Sequence, residues 1–458
     1  MFKSLRRPRE FYKYLIALTA PIALQHLITF SLGLIDTFMV SQLGNKEMAA
    51  VTTANVPVFL LLSLGFGVQG GLGILVSQYW GKRDMKNISR AIGVALFIGT
   101  GIVLVLAILF ALWPVQIMDL LSNEHELSVL GGPYLRIIGF SHVFGMISSV
   151  YISAQRSVEN PNFGMKVLAF STVLNTVLNY FLIYGKWVFP AMGIEGAAWA
   201  TLIGQAVSGA FVIRYFVCRF QTIRLKRAHF RISLSKMRRV FSLGMGPFIN
   251  HFSMTLIQIL LNNALVTWGA ASLYGSEIPL ACAGIAAKVN TIVSSIVIGI
   301  AQGAQPIISF NYGAKDYKRA RETGAWAIGA VLSFSFVVFL GFQLFPRQIT
   351  MLFGRYDNLA YYEFAEKYFR IFMMLVCISG MQITIGNFFT ALGKPWMSVL
   401  ISASRQIVSL PILLTLLPRI FGLDGVLYVG PVADGICAAM AFVLFARAWE
   451  RMGSMERV

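Results

Sequence analysis

The sequence predicts an all-α integral membrane protein with twelve transmembrane helices arranged as two six-helix lobes. The first observation is composition: 57% of the 458 residues are hydrophobic and only 12% are charged, whereas soluble domains are about one quarter charged. The second is a series of long apolar segments, and the third is a set of short motifs that recur in the two halves. Together they predict a polytopic membrane protein with an internal repeat.

Apolar segments make up most of the chain, and each is long enough to cross a bilayer core of about 30 Å. The first is far too long for the apolar region of a cleavable signal peptide. We therefore expect a multi-pass protein of the cell membrane, surrounded by lipid bilayer. The twelve segments are 15–40, 51–78, 91–118, 131–154, 164–185, 194–217, 241–268, 278–310, 323–352, 366–392, 397–420 and 424–447.

The basic residues behind the net charge of +19 lie mostly on one side of the predicted membrane. The opposite connection Ser122–Ser128 contains no Lys or Arg. Because cytoplasmic loops are enriched in Lys and Arg, both termini are predicted to be cytoplasmic, and the charge does not predict nucleic acid as a partner. The segments on the N-terminal side hold 29 of the 38 Lys and Arg residues: 1–14, 79–90, 155–166, 214–239, 313–321, 393–405 and 447–458.

Two halves of the chain resemble each other. Ser77–Asp84 (SQYWGKRD) matches Ser309–Asp316 (SFNYGAKD), and Gly193–Gly196 matches Gly422–Gly425. With six spans each, both halves enter the membrane in the same direction, which predicts a pseudo-two-fold axis along the membrane normal, as in transporters. The predicted parts are an N-terminal segment 1–14, a first lobe 15–217, a basic linker 218–240, a second lobe 241–447 and a C-terminal segment 448–458.

A single acid, Asp36, lies within the first apolar segment. A carboxylate at membrane depth costs about 3 kcal/mol on insertion scales, so it is normally kept only where it has a role. The alternative is a position at the outer membrane interface, because the segment ends near Val40. We favour the functional interpretation, since five apolar or weakly polar residues separate Asp36 from Gln42.

Several short motifs follow one another along the chain: Pro21, the run GLIDTFMVSQLG, the motifs QYWGKRD and NYGAKD, Asn175–Gly185, Gly193–Thr201 and Ala391–Trp396. In these residues the chain resembles the MATE family of multidrug and toxic-compound extruders from its first span to its last. The resemblance implies a twelve-helix secondary transporter that exchanges Na⁺ or H⁺ for organic compounds, often cationic and amphipathic. It implies no cofactor beyond the coupling ion, and we expect a monomer.

The resemblance also implies a cation site in the first half. It would combine Asp36 with Asn175 and Asn179 of the fifth span and Thr201 of the sixth. The spacing of four places the two asparagines on one helical face. Carboxylate, amide and hydroxyl oxygens can hold Na⁺, and the carboxylate alone can take a proton, so either ion is allowed and no other metal is expected. The asparagines could instead only join helices by hydrogen bonds.

The second half lacks the further acids that some family members carry in the seventh and tenth spans. Its candidates for a substrate cavity are therefore polar residues, together with one lysine and one acid of later spans. The lysine could instead extend its amino group to the interface, and the acid could pair with another helix. Pro21 is a candidate hinge, with a static bend as the alternative. The cavity candidates are His251, Gln258, Asn262, Lys288 and Asp434.

We expect an antiporter that exports organic compounds by alternating access, with Asp36 as the site of the coupling ion. An alternative is a flippase or exporter of a lipid-linked or amphipathic metabolite, although cations within the spans are few. The sequence has neither an HExxH nor a GxSxG motif, and we do not expect an enzyme. The repeat likewise argues against a channel.

Overall fold

The computed structural model describes residues 9–122, 124–158, 161–187, 189–218, 234–353 and 359–455. These residues are nearly all helical. The predicted N-terminal segment, linker and C-terminal segment lie partly outside them. The helices are α1 (Arg9–Ser41), α2 (Asn45–Gly81), α3 (Met85–Leu112), α4 (Pro114–Asp119), α5 (His125–Ser157), α6 (Pro161–Tyr184), α7 (Gly193–Cys218), α8 (Leu234–Ala270), α9 (Glu277–Gly313), α10 (Tyr317–Leu344), α11 (Pro346–Met351), α12 (Leu359–Phe372), α13 (Val376–Ala391), α14 (Pro395–Ala403), the π-helical segment Ser404–Ser409, α15 (Leu410–Phe421) and α16 (Leu423–Met455).

Eleven apolar stretches of this described chain are long enough to cross a membrane, counting α14 to α15 as one. The helices α12 and α13 form one further span, broken by a bend of 45°. With the broken pair counted once, the twelve predicted spans are confirmed. The chain is thus a multi-pass membrane protein, nearly all helical over the described residues.

The third span of each half ends earlier than the sequence predicts. The apolar segments 91–118 and 323–352 run on without interruption, but α3 ends at Leu112 and α10 at Leu344. Short helices then begin at Pro114 and Pro346. The residue before a proline disfavours the α conformation, whereas proline itself suits the first position of a new helix. The same break therefore occurs in both halves.

The tenth span is broken where its sequence gives no warning. The residues from Phe372 to Val376 are apolar and include neither glycine nor proline. At the break, short-range bonds replace the regular helical ones: Met374 N donates to Ile371 O at 3.1 Å, and Val376 N to Met373 O at 3.2 Å. This local tightening accompanies the change in direction between α12 and α13.

The recurring motif at the end of α2 forms a tight turn between two helices. Arg83 has a left-handed backbone (φ 57°), and Asp84 N donates to Tyr79 O at 2.9 Å. Asp84 then caps α3, because its Oδ1 accepts from Asn87 N at 3.1 Å. The side-chain oxygen of a capping aspartate satisfies a backbone N–H that the helix itself leaves unpaired.

The second half repeats this turn at the end of α9. Lys315 is left-handed (φ 65°), Asp316 N donates to Asn311 O at 2.9 Å, and Asp316 Oδ1 accepts from Arg319 N at 3.0 Å. The repeat detected in the sequence is therefore a repeat of backbone geometry. The aspartate that ends each motif, Asp84 or Asp316, caps the helix that follows it.

Removing the cap with Asp84→Ala is expected to destabilise the protein by about 1 kcal/mol at neutral pH. Hydrogen bonds from Asn87 hold the pKa of Asp84 below its usual value. The charge-dependent stabilisation is therefore full above about pH 4, the ordinary aspartate pKa, and is lost as the pH falls through the lower folded-state pKa. Thermal unfolding of the detergent-solubilised protein across this range measures the effect. Asp84→Asn, which keeps a capping oxygen, is the control, and equal melting temperatures for Asp84→Ala and wild type at pH 7 would contradict the assignment.

The chain forms two compact units whose residues are not the two sequence halves. One unit is Leu24–Phe248, and the other combines Ile249–Val458 with Met1–Ala23. The chain passes from one unit to the other inside α1 and again inside α8. The predicted lobes 15–217 and 241–447 stay a prediction, and α8 begins at Leu234, inside the predicted linker.

In the 24–248 unit, α5 packs against α2, α3 and α7. Its core includes Leu72, Ile92 and Leu135, all fully buried. The beginning of α8 belongs to this unit and crosses α2 at close range. A Cβ at Gly244 would overlap the carbonyl of Gly67, and a Cβ at Gly71 would overlap that of Val240. Only glycine allows these backbones to approach so closely.

The other unit contains a similar crossing between α1 and α9. A Cβ at Gly299 would overlap the backbone of Ala23, and one at Gly303 would lie 2.6 Å from Thr19 Cα. The glycines of α9 are four residues apart, like Gly67 and Gly71 of α2. In each unit, two glycines on one face of a helix therefore allow a half-helix to pack closely against it.

Candidate cation site in the first half

Asp36 lies five residues before the end of α1, where it is partly buried. Its Oδ1 accepts a hydrogen bond from Asn179 Nδ2 of α6 at 2.5 Å. One turn further along each helix, Tyr184 Oη donates to the carbonyl of Met39 at 2.9 Å. Two contacts thus fix the end of α1 against α6 and hold the carboxylate on the packed side of α1.

The other two predicted residues continue from Asn179 as a chain of hydrogen bonds. Asn179 Nδ2 also donates to Asn175 Oδ1 at 3.1 Å, and Asn175 Nδ2 donates to Thr201 Oγ1 of α7 at 3.1 Å. The asparagine side chains meet because a spacing of four residues stacks them on one helical face. The structure therefore brings together all four residues that the resemblance implies, from three helices.

The amide of Asn175 fits its surroundings better when its oxygen and nitrogen are exchanged. Its nitrogen then donates to Asp36 Oδ1 at 3.0 Å, and its oxygen accepts from Thr201 N and Oγ1, both at 3.1 Å. These contacts replace the two hydrogen bonds that Asn175 makes to Asn179 and Thr201 in the first orientation. In the exchanged orientation both asparagine amides donate to the same carboxylate oxygen. Hydrogen bonds to a charged acceptor are stronger than neutral ones, so the exchanged orientation stabilises the ionised carboxylate.

One oxygen of the site is left without a partner. Asn179 is fully buried, and its Oδ1 makes no hydrogen bond within the described part of the chain. Leaving a buried polar atom unpaired costs about 1–3 kcal/mol. A free amide oxygen beside a carboxylate can accept a hydrogen bond from the protonated carboxyl or coordinate a hard cation such as Na⁺.

A neighbour that the sequence did not single out is Tyr134 of α5. It is buried, lies close enough to Asp36 to interact with its charge, and donates a long hydrogen bond of 3.5 Å to Asn55 Oδ1. Its only signal in the sequence is its place at the start of a motif, YLRI, that recurs as YFRI at Tyr368. That signal concerns the repeat, and it gives no indication of closeness to the acid.

The candidates in the second half are not brought into one cluster. Gln258 Nε2 donates to Asn262 Oδ1 at 2.9 Å, which joins two residues of the same helix. Lys288 is exposed on α9, and Asp434 forms an ion pair with Arg405 at 2.6 Å. Among the described residues, no hydrogen bond or ion pair joins Gln258, Asn262 or Lys288 to Asp434. Of the two alternatives for Asp434, the structure shows the pairing with another helix.

The remaining two candidates occupy α1 and α8. Pro21 lies inside the continuous α1, two residues before the chain passes from one compact unit to the other. Its role as a hinge stays a prediction. His251 is partly buried on α8, just after the corresponding passage between Phe248 and Ile249.

Comparison with known proteins gives the family. The model of the MatE family matches residues 21–181 and 252–415, one match in each half of the chain. The multidrug export protein MepA of Staphylococcus haemolyticus is 22% identical over 439 residues, covering 95% of this chain and 93% of that protein. MepA of Staphylococcus aureus strain MRSA252 is 21% identical over 436 residues, with 94% and 93% covered.

Solved structures show the same fold. A MOP superfamily transporter from Pyrococcus furiosus superposes with a TM-score of 0.87 at 18% identity, covering 97% of each chain. A MATE transporter in a form described as the straight conformation gives a TM-score of 0.87 at 19% identity, and one described as the bent conformation gives 0.86 at 19%. The straight form covers 97% of each chain, and the bent form covers 98% of this chain and 97% of its own. Since the family model covers well over half of the sequence, the chain belongs to the MATE family of multidrug efflux transporters.

Proposed function

We propose that this transporter is a secondary antiporter that exports amphipathic, often cationic, organic compounds in exchange for H⁺ or Na⁺. Its coupling ion binds at Asp36. The observation that carries the proposal is a carboxylate within an apolar span that accepts from Asn179, beside a buried amide oxygen without a partner. The relatives named as multidrug export proteins support organic compounds as the cargo.

A proton and a sodium ion would use the Asn179 amide in different ways. A proton on Asp36 turns the carboxylate into a donor, and the unpaired Oδ1 of Asn179 is an acceptor within the same site. A sodium ion needs several oxygen ligands, which Asp36, Asn179, Asn175 and Thr201 can supply when the amides turn their oxygens inward. In both cases the ion satisfies the oxygen that otherwise stays unpaired.

Coupling follows from charge. With an empty site, the ionised Asp36 attracts a cationic compound, and neutralisation of the carboxylate by the ion removes that attraction. An ion and a cargo that favour different states of the carrier drive each other across the membrane, whereas equal preference gives no coupling. In this proposal the protein is a monomer of the cell membrane with both termini in the cytoplasm, and the inward gradient of the coupling ion sets the direction of export.

The test is dye transport by purified protein in liposomes, with a proton gradient and a sodium gradient imposed separately. A lipophilic cationic dye should move against its own gradient when one of the two ion gradients is present. It should stop when an ionophore collapses that gradient. Protein-free liposomes under the same gradients are the control. The proposal would be overturned in favour of a channel if the rate of dye movement depended on neither gradient and did not saturate with dye concentration.

A further inference from the structure

The eleventh span contains a π-helical segment, Ser404–Ser409, between α14 and α15. Leu410 N donates to Arg405 O, five residues back, instead of to the residue four back. The sequence explains this wider turn. Pro411 has no N–H, and in a regular α-helix its ring would clash with the carbonyl of Ile407. Such segments are rare and are frequently found at functional sites.

The π-helical segment has an apolar face and a polar face. Ile407 and Val408 are about half exposed (54% and 51%) and present hydrocarbon to the surroundings. The polar side chains point the other way: Gln406 is buried and donates to Asn250 Oδ1 of α8 at 3.2 Å, and Ser404 lies 3.6 Å from Cys437 Sγ of α16. Arg405 belongs to this inner, polar face.

Arg405 is paired with Asp434 through only part of its guanidinium group. Its Nε donates to Asp434 Oδ1 at 2.6 Å, and within the described chain its two terminal amino groups make no hydrogen bond or ion pair. The Arg405 side chain is 28% exposed, whereas that of Asp434 is 8% exposed. The pair is therefore neutral as a whole but presents a planar edge with unused N–H donors.

The first half has no charge at the corresponding place. The offset of 234 between Tyr134 and Tyr368 places Ser171 at the position of Arg405, and the offset of 229 between Gly193 and Gly422 places Gln205 at the position of Asp434. There Ser171 Oγ donates to the carbonyl of Gly204 at 3.1 Å, a neutral contact between the same two helices of the repeat. The ion pair is thus particular to the second half. Arg405 lies one helical turn before Ser409, the residue that corresponds to Asn175.

We propose that Arg405 binds the carboxylate of amphipathic zwitterions, compounds that carry both an amine and a carboxylic acid. Two parallel N–H groups of a guanidinium match the two oxygens of a carboxylate. Because the Arg405–Asp434 pair is already neutral, a simple anion would leave a net buried charge, which is costly. A zwitterion brings its own cation and leaves the site neutral. This inference rests on the proposed export of organic compounds, because the ligand must enter the helix bundle.

The experiment compares two dyes that differ at one group. Tetramethylrhodamine is a zwitterion with a free carboxylate, and tetramethylrhodamine methyl ester is the matched cation. Their binding to purified protein in detergent, without lipid or gradients, is measured by fluorescence anisotropy. Arg405→Lys keeps the charge and the pairing with Asp434 but removes the planar edge. It should weaken binding of the free acid about tenfold and leave binding of the ester unchanged.

Two further variants complete the design. Arg419→Lys, on the exposed end of α15, is the matched control and should bind both dyes like wild type. Asp434→Asn removes the competing carboxylate and should tighten binding of the free acid. Equal losses for both dyes in Arg405→Lys, no loss for either, or displacement of the free acid by added phosphatidylethanolamine would each overturn the proposal. Since no ion gradient is present, a failure of ion coupling at Asp36 would not alter these results.

Discussion

Asp36→Asn is expected to reduce ion-driven export to the rate of protein-free liposomes while leaving the protein folded. Asparagine has nearly the same shape as aspartate and keeps one oxygen, so packing between α1 and α6 should survive. It cannot take up a proton, and it supplies no negative charge to a sodium ion. Dye transport under imposed proton or sodium gradients measures the loss.

Asp424→Asn provides the control for this substitution. Asp424 pairs with Lys367 at 2.6 Å in the second half, where both side chains are partly exposed. Its neutralisation should leave export close to that of wild type. If Asp36→Asn reaches the membrane in normal amounts and still drives the dye against its gradient, Asp36 is not the coupling site.

The same assay separates the two ions. Asn179→Leu removes an amide oxygen that a sodium ion would need as a ligand, but it leaves the protonatable carboxylate. For a sodium-driven transporter, the sodium concentration at half-maximal rate should rise strongly. For a proton-driven one, the pH profile should shift and the residual transport should stay independent of sodium.

Gly303→Leu is expected to destabilise the protein by about 3 kcal/mol, the upper part of the range for overpacked cores. A Cβ at this position would lie 2.5 Å from Thr19 Cγ2 and 2.6 Å from Thr19 Cα. The second of these atoms is backbone, so α1 itself would have to move. Thr19 is also held by its own hydrogen bond to Leu15 O at 2.8 Å. A lower melting temperature and reduced yield of folded protein measure the effect.

Gly329→Leu on α10 is the matched control for this packing change. A Cβ at Gly329 meets nothing within 4 Å, and leucine is a better helix former than glycine. This variant should melt at or above the temperature of wild type. Similar melting temperatures for Gly303→Leu and Gly329→Leu would contradict the close crossing of α1 and α9.

Hydropathy is sufficient to predict the twelve spans, because a bilayer demands long apolar helices of any sequence. It does not predict where helices stop inside a span. Pro114 and Pro346 give a readable signal for two of the breaks, and Pro411 gives one for the π-helical segment. The break after Phe372 has no such signal, since the apolar residues there could equally continue a helix.

The candidate site could be anticipated only in part. Spacing alone places Asn175 and Asn179 on one face of a helix, but only the resemblance to a family connects them with Asp36 on α1 and Thr201 on α7. The nearness of Tyr134 and the pairing of Arg405 with Asp434 depend on the relative rotation of neighbouring helices, which no single segment encodes. Lys288 and Asp434 are equally unusual in a membrane-spanning sequence, but within the described residues only Asp434 has an ion-pair partner.

The chain passes from one compact unit to the other inside α1 and again inside α8. This affects where the protein could be cut into two polypeptides. A polypeptide that starts at the basic linker would lack residues 1–23, and the face of α9 at Gly299 and Gly303 would have no half-helix to cover it. A polypeptide that ends at the linker would likewise leave Gly67 and Gly71 uncovered. Each sequence half taken alone would thus lack the half-helix that packs against its pair of closely approached glycines.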